Sequence, residues 1–160
     1  MKTRRIAVSA AMAAIAVTFF LSLAAPPAMA ATDTWLGGTS GTLNTGSNWQ
    51  GGNAPSGSDT LTFGSGSYLN LTNNLGNSFN WGGIQFNSGT TNSFVIGDGT
   101  ATDLNAGNSI SLSGNITNAS NVQQAVNCPI VLTGNTQTVS LTGGTAANLT
   151  LGGNISGNMA

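Results

Sequence analysis

The chain lacks most of the side chains with which enzymes carry out acid–base and electrostatic chemistry. It contains no histidine and no glutamate, and its three cationic residues are Lys2, Arg4 and Arg5. If the N-terminal segment is removed, no cationic side chain remains and the formal net charge changes from −1 to −4. The acids of the chain are Asp33, Asp59, Asp98 and Asp103.

These absences exclude several classes of function. Nucleic-acid binding depends on Lys and Arg contacts to phosphate groups, and a polysaccharide lyase needs a cationic base. A glycosidase needs two carboxylates at a short, defined separation, and no two of the four aspartates are spaced to share one face of a predicted strand. No nucleophile has a histidine to activate it. We therefore expect no enzyme activity, no cofactor and no nucleic-acid partner.

Cysteine is represented by Cys128 alone, which excludes an internal disulfide. The residue is followed by Pro129 and the apolar run Ile130-Val131-Leu132. We expect its side chain to be a small buried hydrophobic group, and the alternative is an intermolecular disulfide in an oxidising compartment.

The segment 1–30 has the organisation of a secretory signal peptide. A positively charged start is followed by an apolar stretch over residues 6–25, by Pro26-Pro27, and by the small-x-small sequence Ala28-Met29-Ala30. This pattern predicts cleavage after Ala30 and an exported mature chain without a further membrane span. The alternatives are an uncleaved signal anchor, because roughly 20 apolar residues cross a bilayer, and a twin-arginine signal at Arg4-Arg5.

The composition of the mature region favours strands. Gly, Asn, Thr and Ser dominate it, and Ile, Leu, Val and Phe recur at short intervals. Disordered chains are typically rich in Pro, Glu and Lys, whereas β-branched residues suit strands and Gly and Asn suit tight turns. Because no amphipathic helical period is present, we predict an all-β fold.

Three segments near the C-terminus share the pattern apolar-x-Leu-x-Gly-Asn. Leu112, Leu132 and Leu151 mark the three copies and stand at nearly equal intervals. The predicted core positions are Ile110, Leu112, Ile116, Ile130, Leu132, Leu149, Leu151 and Ile155. The predicted turn positions, which would form an amide ladder, are Asn115, Asn135 and Asn154.

The interval between copies, a period of about 20 residues, is too long for a hairpin between equivalent strands and suits one coil of a solenoid. Equivalent strands would then pair in parallel, one coil above the other. The fold class that we predict is a right-handed parallel β-solenoid with an N-terminal cap. The alternative is an antiparallel β-sandwich with strands every 8–12 residues.

The N-terminal part of the mature chain carries a different set of motifs. They are Trp35-Leu36-Gly37-Gly38, Asn48-Trp49-Gln50-Gly51-Gly52 and, after Gly57-Ser58, Asp59-Thr60-Leu61-Thr62-Phe63. Here the chain resembles bacterial proteins with autotransporter-associated β-strand repeats, although that pattern has Gly directly before Asp. The resemblance implies an extracellular, outer-membrane-associated β-helical passenger segment with a structural or adhesin-like role at the cell surface.

The open end of a solenoid exposes unpaired backbone groups that must be covered. Trp35 and Trp49 are large apolar residues with one N–H each, so we assign them to a structural cap together with Asp59 and Phe63. The predicted organisation is a signal peptide at 1–30, a cap with the first strands at 31–82, and solenoid coils at 83–160. Because the chain stops soon after a repeat, we expect it to be truncated from a longer protein.

Two further sites are open alternatives. Trp35, Trp49, Tyr68 and Trp81 could form a sugar-stacking platform, which would make the chain a secreted carbohydrate-binding module. Asp98 and Asp103 lie in one Gly-rich loop, and calcium prefers several oxygen ligands that include carboxylates; turns built on Asx residues explain the same sequence. The expected partners are surface polysaccharide or other repeat chains.

Overall fold

The computed structural model describes residues 30–77, 79–97, 109–134 and 136–157. Within these ranges the chain is all-β, apart from one 3₁₀ turn at Gly46–Asn48. Among the described residues there is no helix of the length and apolarity needed to cross a lipid bilayer. The predicted signal segment up to residue 29, the calcium candidates Asp98 and Asp103, and the turn residue Asn135 lie outside the described residues.

Short strands follow one another along the described chain. They are β1 Thr32–Thr34, β2 Thr60–Phe63, β3 Asn70–Leu71, β4 Asn80–Trp81, β5 Gly83–Phe86, β6 Val95–Ile96, β7 Ile110–Leu112, β8 Ile116–Asn118, β9 Gln124–Val126, β10 Ile130–Leu132, β11 Val139–Leu141, β12 Leu149–Leu151 and β13 Ile155–Gly157. Thr, Ile, Leu, Val and Phe supply much of their length, as strand propensity requires.

The strands form three sheets, and every pair of strands in them is parallel. The first sheet has the order β1-β2-β5-β8-β11, the second β3-β6-β9-β12, and the third β4-β7-β10-β13. The predicted alternative of an antiparallel sandwich is therefore wrong. Parallel neighbours need crossover connections, whereas antiparallel neighbours can be joined by short hairpins. The architecture is compatible with a β-solenoid.

After β1, the chain visits the first, second and third sheets in rotation. Three consecutive strands make one unit: unit 1 is β2–β4, unit 2 is β5–β7, unit 3 is β8–β10 and unit 4 is β11–β13. Each strand pairs with the strand of the same sheet in the neighbouring unit. A residue therefore has its equivalent one unit away as its nearest cross-strand neighbour.

Inward and outward side chains alternate along the first sheet, as they do in any strand. Leu61, Ile84 and Ile116 stand in register and are buried. The intervening Gln85 and Thr117 pair with each other and point outward. The interior of the stack is consequently apolar, while its outer face carries hydroxyl and amide groups.

The spacing between equivalent strands is less regular than the motif predicts. Ile84 pairs with Leu61 on one side and with Ile116 on the other, and the second interval along the chain is clearly longer than the first. The predicted step holds at Leu112 and Leu132, which are partners in the third sheet. The connections between strands vary in length, so the number of residues per unit is not constant along the chain.

The predicted alignment of the third repeat copy is wrong. Leu149 and Leu151 lie in the second sheet, opposite Gln124 and Val126, whereas the partner of Ile130 in the third sheet is Ile155. Leu-x-Gly-Asn recurs at more than one corner because each corner brings backbones close together and favours glycine there. A match of this motif therefore identifies a corner without identifying which one.

The predicted amide ladder is wrong for Asn154, for the same reason, and Asn135 lies outside the described residues. Asn115 precedes β8 at the corner between the third and first sheets, and Asn154 precedes β13 at the corner between the second and third sheets. The side-chain oxygen of Asn115 accepts a hydrogen bond of 2.8 Å from the backbone N–H of Thr138. The side chain of Asn115, between units 2 and 3, thus contacts the backbone of the connection between units 3 and 4.

Candidate functional site

An aromatic cluster occupies the interior at the N-terminal end of the first sheet. Trp35 follows β1, and its ring lies 5.1 Å from that of Trp49 and 6.3 Å from that of Phe63, measured between centroids. All three side chains are buried. Phe63 continues the contact to Phe86 in unit 2, at 5.6 Å. The three predicted aromatic cap residues thus lie together over the first unit.

Both indole groups of this cluster have acceptors. The Nε1 of Trp49 donates to the backbone oxygen of Leu43 at 2.7 Å, and the Nε1 of Trp35 donates to that of Tyr68 at 3.2 Å. Buried indole N–H groups usually find such partners, because leaving them unpaired costs free energy. These bonds tie the segment after β1 to the loops on either side of it.

Asn48 organises the loop beside the aromatic cluster and was missed as a site from the sequence. Its side chain is fully buried. The Oδ1 atom accepts from the backbone N–H groups of Thr39 and Ser40 at 2.9 and 3.1 Å, and the Nδ2 atom donates to the Thr42 oxygen at 2.9 Å. Its position directly before Trp49, inside the Asn-Trp-x-Gly-Gly motif, was the available signal.

The structure brings together two carboxylates that sequence spacing did not connect. Asp33 lies on β1 opposite Leu61, so it extends the inward row of the first sheet at its N-terminal edge. Asp59 immediately precedes β2 and is buried. The two residues are far apart along the chain, and only the pairing of β1 with β2 makes them neighbours.

The two carboxyl groups have opposite pKa shifts. Burial, a hydrogen bond to Asp59 and the negative charge of Asp59 raise the pKa of Asp33 from 3.8 to about 6. Burial also acts on Asp59, but hydrogen bonds from Ser56, from the backbone of Ala31 and from Asp33 outweigh it and lower the pKa of that carboxyl. As the pH falls, Asp33 therefore takes up a proton before Asp59 does.

Opposed pKa values can mark an acid–base pair, but the donors around Asp59 indicate a structural role. Its Oδ1 accepts from the Ala31 N–H at 2.8 Å, and its Oδ2 accepts from Ser56 N–H at 2.8 Å and Ser56 Oγ at 2.6 Å. Both carboxylate oxygens of Asp59 are therefore engaged by donors of the chain itself. Within the described residues no group of three or more potential metal ligands occurs.

The aromatic platform is not formed. Trp35, Trp49 and Trp81 are all buried, whereas Tyr68 is exposed. Trp81 packs edge to face with Phe79, with the ring centroids 6.2 Å apart. A sugar ring stacks on an accessible aromatic face, so these tryptophans belong to the core.

A polar groove with a volume of about 290 Å³ lies on the outer face of the first sheet. Glycines belong to its lining together with Thr60, Gln85, Asn115 and Thr117. The groove offers hydrogen-bonding groups without an aromatic face.

The predicted repeat-core residues become less buried toward the end of the stack. Ile110, Leu112, Ile116 and Ile130 are buried, while Leu132, Leu149 and Leu151 are partly buried and pack against the core. Ile155 is 53% exposed. Unit 4 therefore has interior side chains that no described unit covers.

A buried polar network joins units 2, 3 and 4 and was also missed from the sequence. Asn118 donates to the Asn148 oxygen at 2.8 Å and accepts from Ser120 Oγ at 2.6 Å. Gln124 accepts from the Phe94 N–H at 2.6 Å and donates to Ser120 Oγ at 3.0 Å. In a chain this rich in Asn and Ser, nothing in the sequence separates these buried positions from exposed ones.

Comparison with known proteins adds no relative. No protein-family model, no curated protein and no solved structure matches the chain.

Proposed function

We propose that the mature chain is an exported, surface-associated segment of a right-handed parallel β-solenoid. Its role is structural or adhesive, and it carries out no catalysis. In this proposal it is similar to the passenger segments of autotransporter-associated repeat proteins. The cap around Trp35 and Trp49 closes one end, and units 1 to 4 are successive coils.

The observation that carries the proposal is the rotation of the chain through three parallel sheets. Each of Leu61, Ile84 and Ile116 lies against its equivalent in the next unit, as stacked coils require. Connections between parallel strands of one sheet are right-handed in nearly all cases, and we assign that hand to the coils. Such a stack lengthens by adding units, which suits a protein that extends from a surface.

The scarcity of charge supports the same architecture. Stacked strands lie about 4.8 Å apart, so a charged residue repeated in every unit would repel its own copies. The outward positions of the first sheet hold the neutral residues Thr34, Gln85, Thr117 and Ser140, and Thr62 in the same row is neutral and buried. Hydroxyl and amide groups stack without that repulsion and keep the surface polar.

Export is proposed from the N-terminal sequence. Lys2, Arg4 and Arg5 are the positive start, and cleavage after Ala30 would leave a mature chain with no cationic side chain. The first described strand begins at Thr32, just beyond the proposed cleavage position. A protease acting there would leave β1 complete.

The carbohydrate-binding alternative now depends on the polar groove instead of the tryptophans. Gln85 and Thr117 line that groove with outward side chains. The buried Trp81 is unsuited as a test of sugar binding, because its removal would damage the core. Substitution of Gln85 by Ala and of Thr117 by Val tests the groove without touching the interior.

Export is tested by expressing the full chain in a bacterium and following it by cell fractionation and intact-mass measurement. We expect a product outside the cytoplasm that begins at Ala31. A Leu21→Arg variant, which charges the apolar stretch, should stay inside the cell with its N-terminus intact. Leu36→Arg is the matched control because Leu36 lies beyond the cleavage position and is exposed. Cytoplasmic retention of the unsubstituted chain contradicts the proposal.

The role of the exported protein is tested with a glycan array and with polysaccharide hydrolysis assays. We expect no turnover and no saturable binding to a single glycan. Saturable binding that is lost in the Gln85→Ala, Thr117→Val double variant, with an unchanged circular dichroism spectrum, favours the carbohydrate-binding module. Hydrolysis of a polysaccharide by the purified protein contradicts the non-catalytic role.

A further inference from the structure

At the N-terminal edge of the first sheet, the backbone nitrogen of Ala31, directly before β1, is hydrogen-bonded to the carboxylate of Asp59. The N–H of Ala31 donates to the Oδ1 of Asp59 at 2.8 Å, and the Ala31 oxygen accepts from the Thr60 N–H at 2.8 Å. Ala30, the residue before, is exposed. The bond at which we propose cleavage is therefore the bond to this anchored nitrogen.

Asp59 also accepts from the N–H and the Oγ of Ser56, so the unused acceptor beside it belongs to Asp33. The Oδ2 of Asp33 is buried and has no hydrogen-bond partner among the described residues. Asp59 is 3% exposed, and its pKa is lowered, so it is an anion at neutral pH. The described residues include no Lys, Arg or His to balance the two carboxyls. Asp33 is only half-buried, but two neighbouring carboxylates are still stabilised by a cation or by a shared proton.

We propose that Asp59 and Asp33 form the binding site for the α-ammonium group that cleavage after Ala30 creates on Ala31. The inference rests on the export proposed above, and specifically on its cleavage position. Hydrolysis breaks the Ala30–Ala31 amide bond, gives Ala30 a carboxylate from water, and leaves the Ala31 nitrogen protonated as –NH₃⁺. The nitrogen changes from a neutral group with one donor to a cation with three.

The new group matches what the site lacks. One N–H of the ammonium keeps the bond to Asp59 Oδ1. Cleavage adds two further donors, and in this proposal one of them binds the Asp33 Oδ2, which has no partner among the described residues. Charge-assisted hydrogen bonds to carboxylates are roughly twice as strong as neutral ones. Removal of the leader thus supplies the only positive charge of the mature chain at the place where two carboxylates meet.

Processing would in this way complete the fold. β1 carries Trp35 at its end, and Trp35 closes the aromatic cluster over unit 1. An ion pair at Ala31 fixes the start of β1 against Asp59, the residue that precedes β2. Before cleavage no cationic side chain of the described residues faces this carboxyl pair, so we expect the first sheet to reach full stability only after export.

The absence of lysine makes the proposal directly measurable. After processing, the α-amino group of Ala31 is the only amine in the protein, so acetylation by an N-hydroxysuccinimide ester that resists hydroxylamine reports that site alone. The full chain is exported with its own leader, purified, and checked by intact mass. Acetylation at pH 7 is then followed by mass spectrometry in buffer and in urea. An ion pair that raises the pKa of the amine by one unit reduces the reactive free amine about tenfold.

We expect the folded protein to react at least about tenfold more slowly than the unfolded protein. Asp59→Asn should abolish most of this protection, and Asp33→Asn should reduce it. Asp103→Asn removes the same charge at a distant position in the sequence and should leave the protection unchanged. Circular dichroism identifies any variant that fails to fold. The Tm of the unsubstituted protein before and after acetylation tests the same site without a variant.

The pH dependence gives a second readout on the unsubstituted protein. The charged groups acting here are Asp33, Asp59 and the amine itself, and the other titratable side chains of the described residues are Tyr68 and Cys128. An amine whose pKa is raised on folding stabilises the protein below its ordinary pKa of about 7.7–8 and loses that contribution as the pH rises through the folded value. The free-amine protein should therefore have a higher Tm than the acetylated protein at pH 7, and the two should converge above about pH 10.

The outcomes separate this inference from the proposal on which it rests. A chain that begins at Ala31 with an equally reactive amine in the folded and unfolded states overturns the binding site and leaves export intact. An exported chain that keeps residues 1–30 contradicts the cleavage position and overturns the site with it. Equal Tm values for the free and acetylated proteins at pH 7 likewise overturn it.

Discussion

The indole rings of Trp35 and Trp49 meet edge to face, with 78° between their planes. The two residues also form an antiparallel bridge through their backbones. One contact thus joins the end of β1 to the residue that follows the 3₁₀ turn Gly46–Asn48. Phe63 contacts both rings, with centroid distances of 6.3 and 6.0 Å, and all three side chains are buried, so the pair belongs to the core at the N-terminal end of the first sheet.

Removing Trp49 should therefore destabilise the whole N-terminal end. Trp49→Ala is expected to lower the free energy of unfolding by about 3–5 kcal/mol, because a buried aromatic side chain is lost and a cavity remains. Urea unfolding followed by far-UV circular dichroism measures the change. Leu36→Ala is the control: Leu36 is 46% exposed and should change stability by less than about 0.5 kcal/mol. Equal losses in the two variants would show that the aromatic pair is not a cap.

Gly114 lies at a corner where neighbouring units touch through their backbones. A Cβ atom at this position would overlap the carbonyl oxygen of Gly82 in the preceding unit. Gly114→Ala is expected to cost about 1–3 kcal/mol, because the corner must open to relieve the overlap. Gly57→Ala is the matched substitution, since a Cβ there meets nothing within 4 Å. Thermal unfolding distinguishes the two, and a Gly114→Ala variant as stable as the parent would contradict the close stacking of the corners.

Asp33 should make the stability of the N-acetylated protein depend on pH. When the Ala31 nitrogen is an amide, as in the structure, the pKa of Asp33 is raised from 3.8 to about 6. The folded state then holds the proton more tightly than the unfolded state, so this contribution to stability is complete below about pH 4 and is lost as the pH rises toward 6. The Tm of the acetylated protein should fall across this interval. Asp59 has the opposite sign: its pKa is lowered, so its contribution is present above about pH 4 and is lost as the pH falls.

The Asp33→Asn variant of the acetylated protein is the control for this pH profile. It removes the titrating carboxyl and keeps the size of the side chain, so its Tm should change little between pH 4 and pH 6. A parallel fall in both proteins would assign the pH dependence to another group.

Alternation of apolar residues predicted the strands well, because a buried face is a local property of the sequence. Ile110 and Leu112 pair with Ile130 and Leu132, as their shared motif indicates. The same motif placed Leu151 in the wrong sheet, because all corners favour glycine and similar short sequences follow them. The spacing of a motif gives the number of residues per coil only when the connections between strands have constant length. In this chain the connections vary in length.

Polar sites inside the stack were beyond sequence-based reasoning for a different reason. Asn48 and Asn118 are fully buried, yet each satisfies its amide through backbone groups brought close by other elements. The neighbourhood of Asp33 and Asp59 likewise depends on the pairing of β1 with β2. These environments are products of tertiary contacts, so the identity of the residue alone carries no signal of them.

Gln137 offers a substitution that should stabilise the protein. Its Nε2 is buried without a hydrogen-bond partner among the described residues, and it lines an apolar cavity of about 90 Å³ together with Leu112, Ile116 and Leu132. Gln137→Leu removes the unpaired amide, whose burial costs about 1–3 kcal/mol, and adds apolar contact in the cavity. We expect the free energy of unfolding to rise by about 1 kcal/mol, measured by urea unfolding.

Gln123→Leu is the matched control for this substitution. The Nε2 of Gln123 donates to the Thr150 Oγ1 at 2.9 Å on the exposed side of the second sheet, so its replacement loses a hydrogen bond and buries nothing. That variant should be neutral or slightly less stable. Removing an unpaired amide from an apolar cavity should raise the stability of the protein. If Gln137→Leu is destabilising while Gln123→Leu is neutral, the amide of Gln137 has a hydrogen-bond partner in solution and the cavity is polar.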